Sequence, residues 1–272
     1  MSIAKPVPYS VEAYNTAINS ENKMHDDTVA KQFGFTGGLV PGVDVYAYMS
    51  HVPLQVWGRA FLERGEMEGR FIKPVYDGEI ATVTATTATE ANGGLDIRIE
   101  SRGIVCGTGH AKLMAAPASA AIDDFKTSTP PANDKRPDIS ASSYKVGEWL
   151  AIHPYKVTPE LHAQYLKDVR EADPIYAREG LVHPGTLLRL ANWALTHNVR
   201  LGPWIHVGST IRQITPGHVG DELTLRAKVT GNYDKKGHKL VDLDCLVIAN
   251  GKTPLARIAH TAIYAPRMAA AA

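Results

Sequence analysis

A chain of 272 residues has room for one large domain or two modest ones. Apolar side chains make up 44% and charged ones 21%, enough to bury a core and too apolar for disorder throughout. With 29 basic against 28 acidic side chains the formal charge is +1, so no whole-molecule field exists to gather nucleic acid or an anionic membrane, and an anionic ligand must be met locally.

Residues Met1 to Tyr9 hold one lysine and two prolines but no apolar leader core, and no apolar run approaches the roughly 18 residues of a spanning helix. A cytoplasmic location is the expectation. A polar stretch follows, Asn19-Ser20-Glu21-Asn22-Lys23-Met24-His25, then a short acidic, alanine-bearing helix from Asp26 to Phe33 and the turn Gly38-Leu39-Val40-Pro41-Gly42. Val45, Tyr48, Met49 and Val52 recur at three- and four-residue steps, which predicts a helix after Pro41 with one buried face. A helix start presents unpaired N–H groups and a partial positive charge, and glycine leaves its amide approachable. The Gly42 amide is therefore a candidate donor to an oxygen that gains negative charge. The plainer alternative is that Pro41-Gly42 merely starts the helix.

Arg59, Arg64, Arg70 and Lys73 form a loose cationic series beyond that helix. Arg70 and Lys73 are candidates to meet ligand phosphates, with solvated surface charge as the plainer reading. The segment Lys73-Pro74-Val75-Tyr76-Asp77-Gly78-Glu79 leads into alternating runs, Ile80 to Thr89 and Leu95 to Cys106, split by the hairpin-turn residues Ala91-Asn92-Gly93-Gly94. Ala115 to Ser143 is rich in Ala, Pro, Ser, Thr and Asp and reads as a linker.

Beyond it the pattern returns. Gly180-Leu181-Val182-His183-Pro184-Gly185 repeats the turn before the first helix, and Thr215-Pro216-Gly217-His218-Val219-Gly220-Asp221-Glu222 repeats the entry to the strands. Leu223 to Thr230 and Leu240 to Ile248 alternate around Asp234-Lys235-Lys236-Gly237, and a last strand is expected from Leu255 to Tyr264. The chain thus reads as an internal duplication. Each half is an α+β unit in which an antiparallel sheet wraps one central helix, with boundaries at 1–114, a linker at 115–145 and 146–267.

Other signals are weak. Cys106 and Cys245 lie in strand-like segments and read as small buried hydrophobes. Asn250-Gly251-Lys252-Thr253 ends like a phosphate loop but has Leu246 where the first glycine belongs, so it is a turn; Gly107-Thr108-Gly109 lacks the third glycine of a dinucleotide fingerprint. No histidine pair has metal-ligand spacing, so neither a metal nor a cofactor is expected.

The run from Ser20 to His25 resembles a signature of the MaoC-like, (R)-specific enoyl-CoA hydratase family, in which Asp, any residue, Asn, Pro, an aliphatic residue and His follow one another. His25 matches the histidine and Asn22 the asparagine; Lys23 replaces the proline and Ser20 the aspartate. The resemblance implies a tandem, double hot-dog fold and reversible addition of water to a 2-enoyl thioester, or dehydration of a 3-hydroxyacyl thioester. His25 is then the general base or acid, Asn22 orients it or the water, and Gly42 receives the thioester oxygen between Pro41 and Val43. Serine cannot carry the charge of the missing aspartate, and Glu21 is the nearest carboxylate to replace it.

In the second half, Glu171-Ala172-Asp173-Pro174-Ile175-Tyr176 fits the same signature with tyrosine at the histidine position. Tyrosine, with a pKa near 10, is a poor base at neutral pH. That half is expected to be mainly structural, with Glu171 an outside candidate. The partner is then a small-molecule acyl-CoA. Two alternatives stay open: a thioesterase using Asp26, Asp27 or Asp44, and an acyl-CoA binder without catalysis. Monomer and homodimer are both open, with dimerisation across sheet edges favoured because exposed edges need protection.

Overall fold

In the computed structural model, which describes residues 5–88 and 93–268, the first half runs β1 (Tyr9–Glu12), a 3-10 turn (Lys23–His25), α1 (Asp27–Gln32), α2 (Gly42–Trp57), α3 (Arg59–Arg64), β2 (Gly65–Phe71), β3 (Ile80–Thr87), β4 (Leu95–Ser101) and β5 (Ile104–Leu113). The second half runs β6 (Trp149–Ala151), β7 (Tyr155–Lys156), α4 (Pro159–Asp168), α5 (Pro174–Glu179), α6 (Pro184–Thr196), β8 (Ile205–Gln213), β9 (Glu222–Lys235), β10 (His238–Ala249) and β11 (Thr253–Ala265). The expected strand end Thr89 and turn residues Ala91 and Asn92 lie outside the described residues, as do 1–4 and 269–272.

Among the described residues, all eleven strands belong to one antiparallel sheet of order β1-β3-β4-β5-β2-β8-β11-β10-β9-β6, with β7 on β9. The halves meet where β2 pairs with β8, Met67 opposite Ile211 and Gly69 opposite Ser209. The run expected as one strand from Leu95 to Cys106 is instead a hairpin. Arg102 and Gly103 both take positive φ, 55° and 68°, as a two-residue turn that follows the strand twist requires. Gly107 and Gly109 then fall inside β5, because β2 passes too close for a side chain: an added methyl would stand 2.9 Å from the Arg70 carbonyl oxygen and 2.5 Å from that of Glu68.

Helices α2 and α6 pack against each other inside the curved sheet. The apolar repeat of α2 predicted one buried face, but every residue from Val43 to Leu54 is buried. The sheet covers one side of the helix and α6 covers the other. Polar bonds tie the halves here: Arg189 donates to Asp44 at 3.0 Å, and His51 Nδ1 meets the Glu171 carboxylate at 2.8 Å. Between the halves, Phe125 is buried with Leu246 and Ile248, and Arg226 donates to the Ile122 and Phe125 carbonyls. One aromatic anchor and a half-buried arginine thus hold a stretch whose composition is polar. Among the described residues, no helix is long and apolar enough to cross a membrane.

Candidate functional site

His25 closes the 3-10 turn that Asn22 caps by accepting from the Met24 amide at 3.2 Å. The glycine-rich turn lies against this segment so closely that a side chain at Gly38 would collide with the His25 carbonyl. Asp27 accepts from the Gly38 amide at 2.7 Å, and Leu39 donates to the Met24 carbonyl at 3.3 Å. Glycine at 38 is therefore what allows the histidine turn and the start of α2 to sit together.

The protonation pattern of His25 follows from its neighbours. Trp204, in the second half, donates its amide to Asn22 Oδ1 at 3.1 Å and accepts from Asn22 Nδ2 at 3.0 Å, which fixes the orientation of the Asn22 amide. The second Nδ2 hydrogen faces His25 Nε2 at 3.2 Å, so Nε2 carries the lone pair. The ring proton sits on Nδ1 and is donated to the Leu39 carbonyl at 2.6 Å. Burial pushes the His25 pKa below the ordinary histidine value, against the opposing effects of the Leu39 bond and the Asp44 charge. The ring is neutral at pH 7, with a basic nitrogen available.

Pro41 precedes α2 and offers no side-chain cap, so the Gly42 amide at the helix start has no intrahelical or capping partner. His25, Pro41 and Gly42 line a cavity of 280 Å³ whose walls include Met24, Leu39, Val45, Phe71, Ile205 and Ile263. A second, polar cavity of 420 Å³ lies on the other side of Asn22, His25, Pro41, Asn192 and Trp204, which line both. His25 thus stands in the wall between an apolar chamber and a polar one.

The remaining sequence candidates scatter. Ser20 and Val43 line the polar cavity, but the Ser20 hydroxyl donates to the Asn22 carbonyl at 3.3 Å. Glu21 lines its rim and is turned outward, where Arg136 donates to both its carboxylate oxygens at 2.8 and 2.9 Å. That bond holds the Glu21 pKa below the usual carboxylate value. Lys73 reaches the apolar cavity, whereas Arg70 is exposed, pairs with Glu68 and lines neither cavity. Asp26 caps α1 through the Thr28 and Val29 amides, Asp27 holds Gly38, and Asp44 is fully buried between Thr16 and Arg189. Among the described residues, no carboxylate lines the apolar cavity.

The second half has the same turn closed off. His183, the residue inserted before Pro184, accepts from the Gly185 amide through Nδ1 at 3.0 Å and caps α6. The Tyr165 hydroxyl occupies the space over Gly185, and Tyr176 is fully buried. Glu171 is held by His51 and by His183, 3.5 Å away. Burial would raise its pKa, but the hydrogen bond from His51 and the nearby imidazole of His183 outweigh this and hold it well below the usual carboxylate range.

Residues absent from the sequence reading complete the first site. His206 on β8 lines the apolar cavity beside Gly42, and Asn192 and Trp204 stand in the shared wall. Arg136 comes from the inter-half segment. No local pattern marked His206, because Gly208, Ser209 and Gln213 are buried on the same strand and its inward positions follow no apolar alternation.

No protein-family model and no curated protein matches this chain. Solved structures do resemble it. A candidate MaoC domain protein dehydratase from Chloroflexus aurantiacus superposes with a TM-score of 0.65 at 11% identity, covering 97% of this chain and 96% of that one. A conserved hypothetical protein from Mycobacterium tuberculosis, described as a double hotdog fold, gives 0.63 at 15% identity, with 96% of each chain covered. A candidate thioesterase from Novosphingobium aromaticivorans gives 0.52 at 10% identity, covering 83% and 88%. At such identities the likeness is one of fold, and the fold is a double hot-dog.

Proposed function

We propose that this chain is a lyase that adds water reversibly to a 2-enoyl thioester, or dehydrates a 3-hydroxyacyl thioester, acting on a small-molecule acyl-CoA in the cytoplasm. The observation that carries this reading is the uncapped Gly42 amide beside a neutral His25 with its lone pair on Nε2, at the head of an apolar cavity. An acyl chain suits the apolar chamber, and the carrier arm suits the polar one.

In the forward step a water bridges Asn22 Nδ2 and His25 Nε2, replacing their long contact. His25 takes one of its protons as the hydroxyl adds to the β-carbon of the enoyl group. The electron pair moves to the thioester oxygen, where the Gly42 amide and the positive end of α2 stabilise the enolate. The imidazolium then returns its proton to the α-carbon. The step balances with one acid–base group, which suits a site where serine replaces the second, and it calls for no other cofactor. Hydrolysis of the thioester fits less well, since Asp26, Asp27 and Asp44 are all committed to structural bonds.

The test is turnover of short, medium and aromatic 2-enoyl-CoAs, scored by loss of the conjugated-enoyl absorbance beside a free-thiol assay, for wild type and His25→Ala. Loss of absorbance without thiol, abolished in the variant, is the expected result. Thiol release means hydrolysis. Silence in both channels with retained binding means an acyl-CoA binder.

A further inference from the structure

Of the buried polar atoms without a partner among the described residues, the His206 nitrogen is the one beside the start of α2. The residue is 6% exposed, yet its Nδ1 has no hydrogen-bond partner. Buried polar groups are nearly always paired, so an exception asks for a ligand. Its surroundings indicate which one. A methyl added at Gly42 would stand 2.9 Å from this nitrogen and 3.1 Å from the Phe71 ring, so Nδ1 flanks the start of α2 where the free amide lies. Phe71 packs its ring edge on His206 at 4.8 Å between centroids and His260 stacks on the other side at 4.5 Å, which fixes the imidazole plane.

Behind the ring is a short relay. His206 Nε2 lies 2.8 Å from Ser209 Oγ, which lies 2.9 Å from His260 Nδ1. The hydroxyl can turn its single proton toward either ring or toward the Gly208 carbonyl at 2.8 Å. When Ser209 donates to Nε2 and accepts from His260, the His206 proton sits on Nδ1. An oxygen that gains negative charge at the Gly42 amide selects this arrangement, because the alternative would set a lone pair against it.

We propose that His206 is a second donor to the thioester oxygen, its Nδ1–H acting with the Gly42 amide while Ser209 and His260 fix the tautomer. This rests on the thioester reading above and adds a catalytic residue supplied by the second half of the chain. A neutral imidazole suits the task, since it donates without adding a full charge to the apolar chamber. Burial, with the neighbouring His260 as a further cause, pushes the His206 pKa well below the ordinary value and keeps the ring neutral.

The test uses a saturated acyl-CoA analogue with methylene in place of sulfur and a 13C-labelled carbonyl, which neither hydrates nor hydrolyses. Its infrared carbonyl band is expected to move to lower frequency on binding wild type, to lose about half of that shift in His206→Phe, and to recover part in His206→Asn, which restores an N–H near the Nδ1 position. On a 2-enoyl-CoA, kcat of His206→Phe is expected to fall on the order of 100- to 1,000-fold with little change in KM, the scale for loss of one oxyanion donor. A folded His206→Phe protein with the wild-type carbonyl shift overturns the proposal. Should that variant not fold, 15N spectra of wild type decide: with the analogue bound, His206 must carry its proton on Nδ1, and a proton on Nε2 overturns the proposal. A wild type that shifts the carbonyl through His206 yet never hydrates enoyl-CoA overturns the lyase reading and leaves the donor standing.

Discussion

Asn22→Ala removes a side chain that joins the His25 turn to Trp204 in the other half. Its amide makes four bonds, to the Met24 amide, the Trp204 amide, the Trp204 carbonyl and His25 Nε2, at 3.0 to 3.2 Å. Truncation leaves both Trp204 backbone groups without partners in a buried setting, and each such orphan costs about 1 to 3 kcal/mol. A net loss of about 3 kcal/mol follows, which for a chain of this size lowers Tm by roughly 6 to 12 °C. Urea titration with Tm measured in parallel reads this directly.

Asn22→Asp separates packing from protonation. Its second oxygen faces both the Trp204 carbonyl and the His25 lone pair, so it favours imidazolium. The acid limb of activity should move to higher pH, and 15N shifts should show His25 protonated on both nitrogens at a pH where wild type is neutral. Loss of less than about 1 kcal/mol in Asn22→Ala would refute the orientation assigned to this amide, as would an unmoved His25 titration in Asn22→Asp.

Three further outcomes follow from the same geometry. Gly42→Ala sets a methyl against His206 and Phe71; overpacking of about 1 to 3 kcal/mol is offset by roughly 1 kcal/mol of helix preference, so Tm should move by only a few degrees while kcat/KM collapses. Equal effects on both would place the amide outside the site. Stability should fall as pH drops below the ordinary histidine value, because burial lowers the His260 pKa to about 3 and the unfolded chain then binds the extra proton. That contribution is complete above pH 6.5 and shrinks by about 2 kcal/mol at pH 5, so His260→Phe should remove a share of this size from the acid shift of the urea midpoint and leave the share of buried histidines such as His206. Finally, Glu171→Ala strands the His51 Nδ1–H and the Asp173 amide, which donates at 2.7 Å. It should cost about 2 to 4 kcal/mol in urea unfolding yet spare kcat/KM of the folded protein, whereas a selective loss of kcat would make the second half catalytic.

What the sequence determined by itself is local or repeated. The duplicated Gly-Leu-Val turns pointed to two central helices, each wrapped by antiparallel strands, because each marks the same close approach before a helix, and Asn22, His25 and Gly42 could be picked out as candidates because they sit within 21 residues. The seam strands β2 and β8 were not, since Gly65, Gly69, Glu66 and Glu68 in one and Gly208 and Ser209 in the other blunt the β signal that pairing supplies. Tertiary structure alone decided which helix start is open. His183 caps one and Tyr165 covers it, whereas Pro41 cannot cap the other, so of two similar turns one ends closed and the other open. It also decided the partners of the open turn, because Trp204 and His206 lie 182 and 164 positions beyond Asn22 and Gly42 and reach them only when the second half folds onto the first.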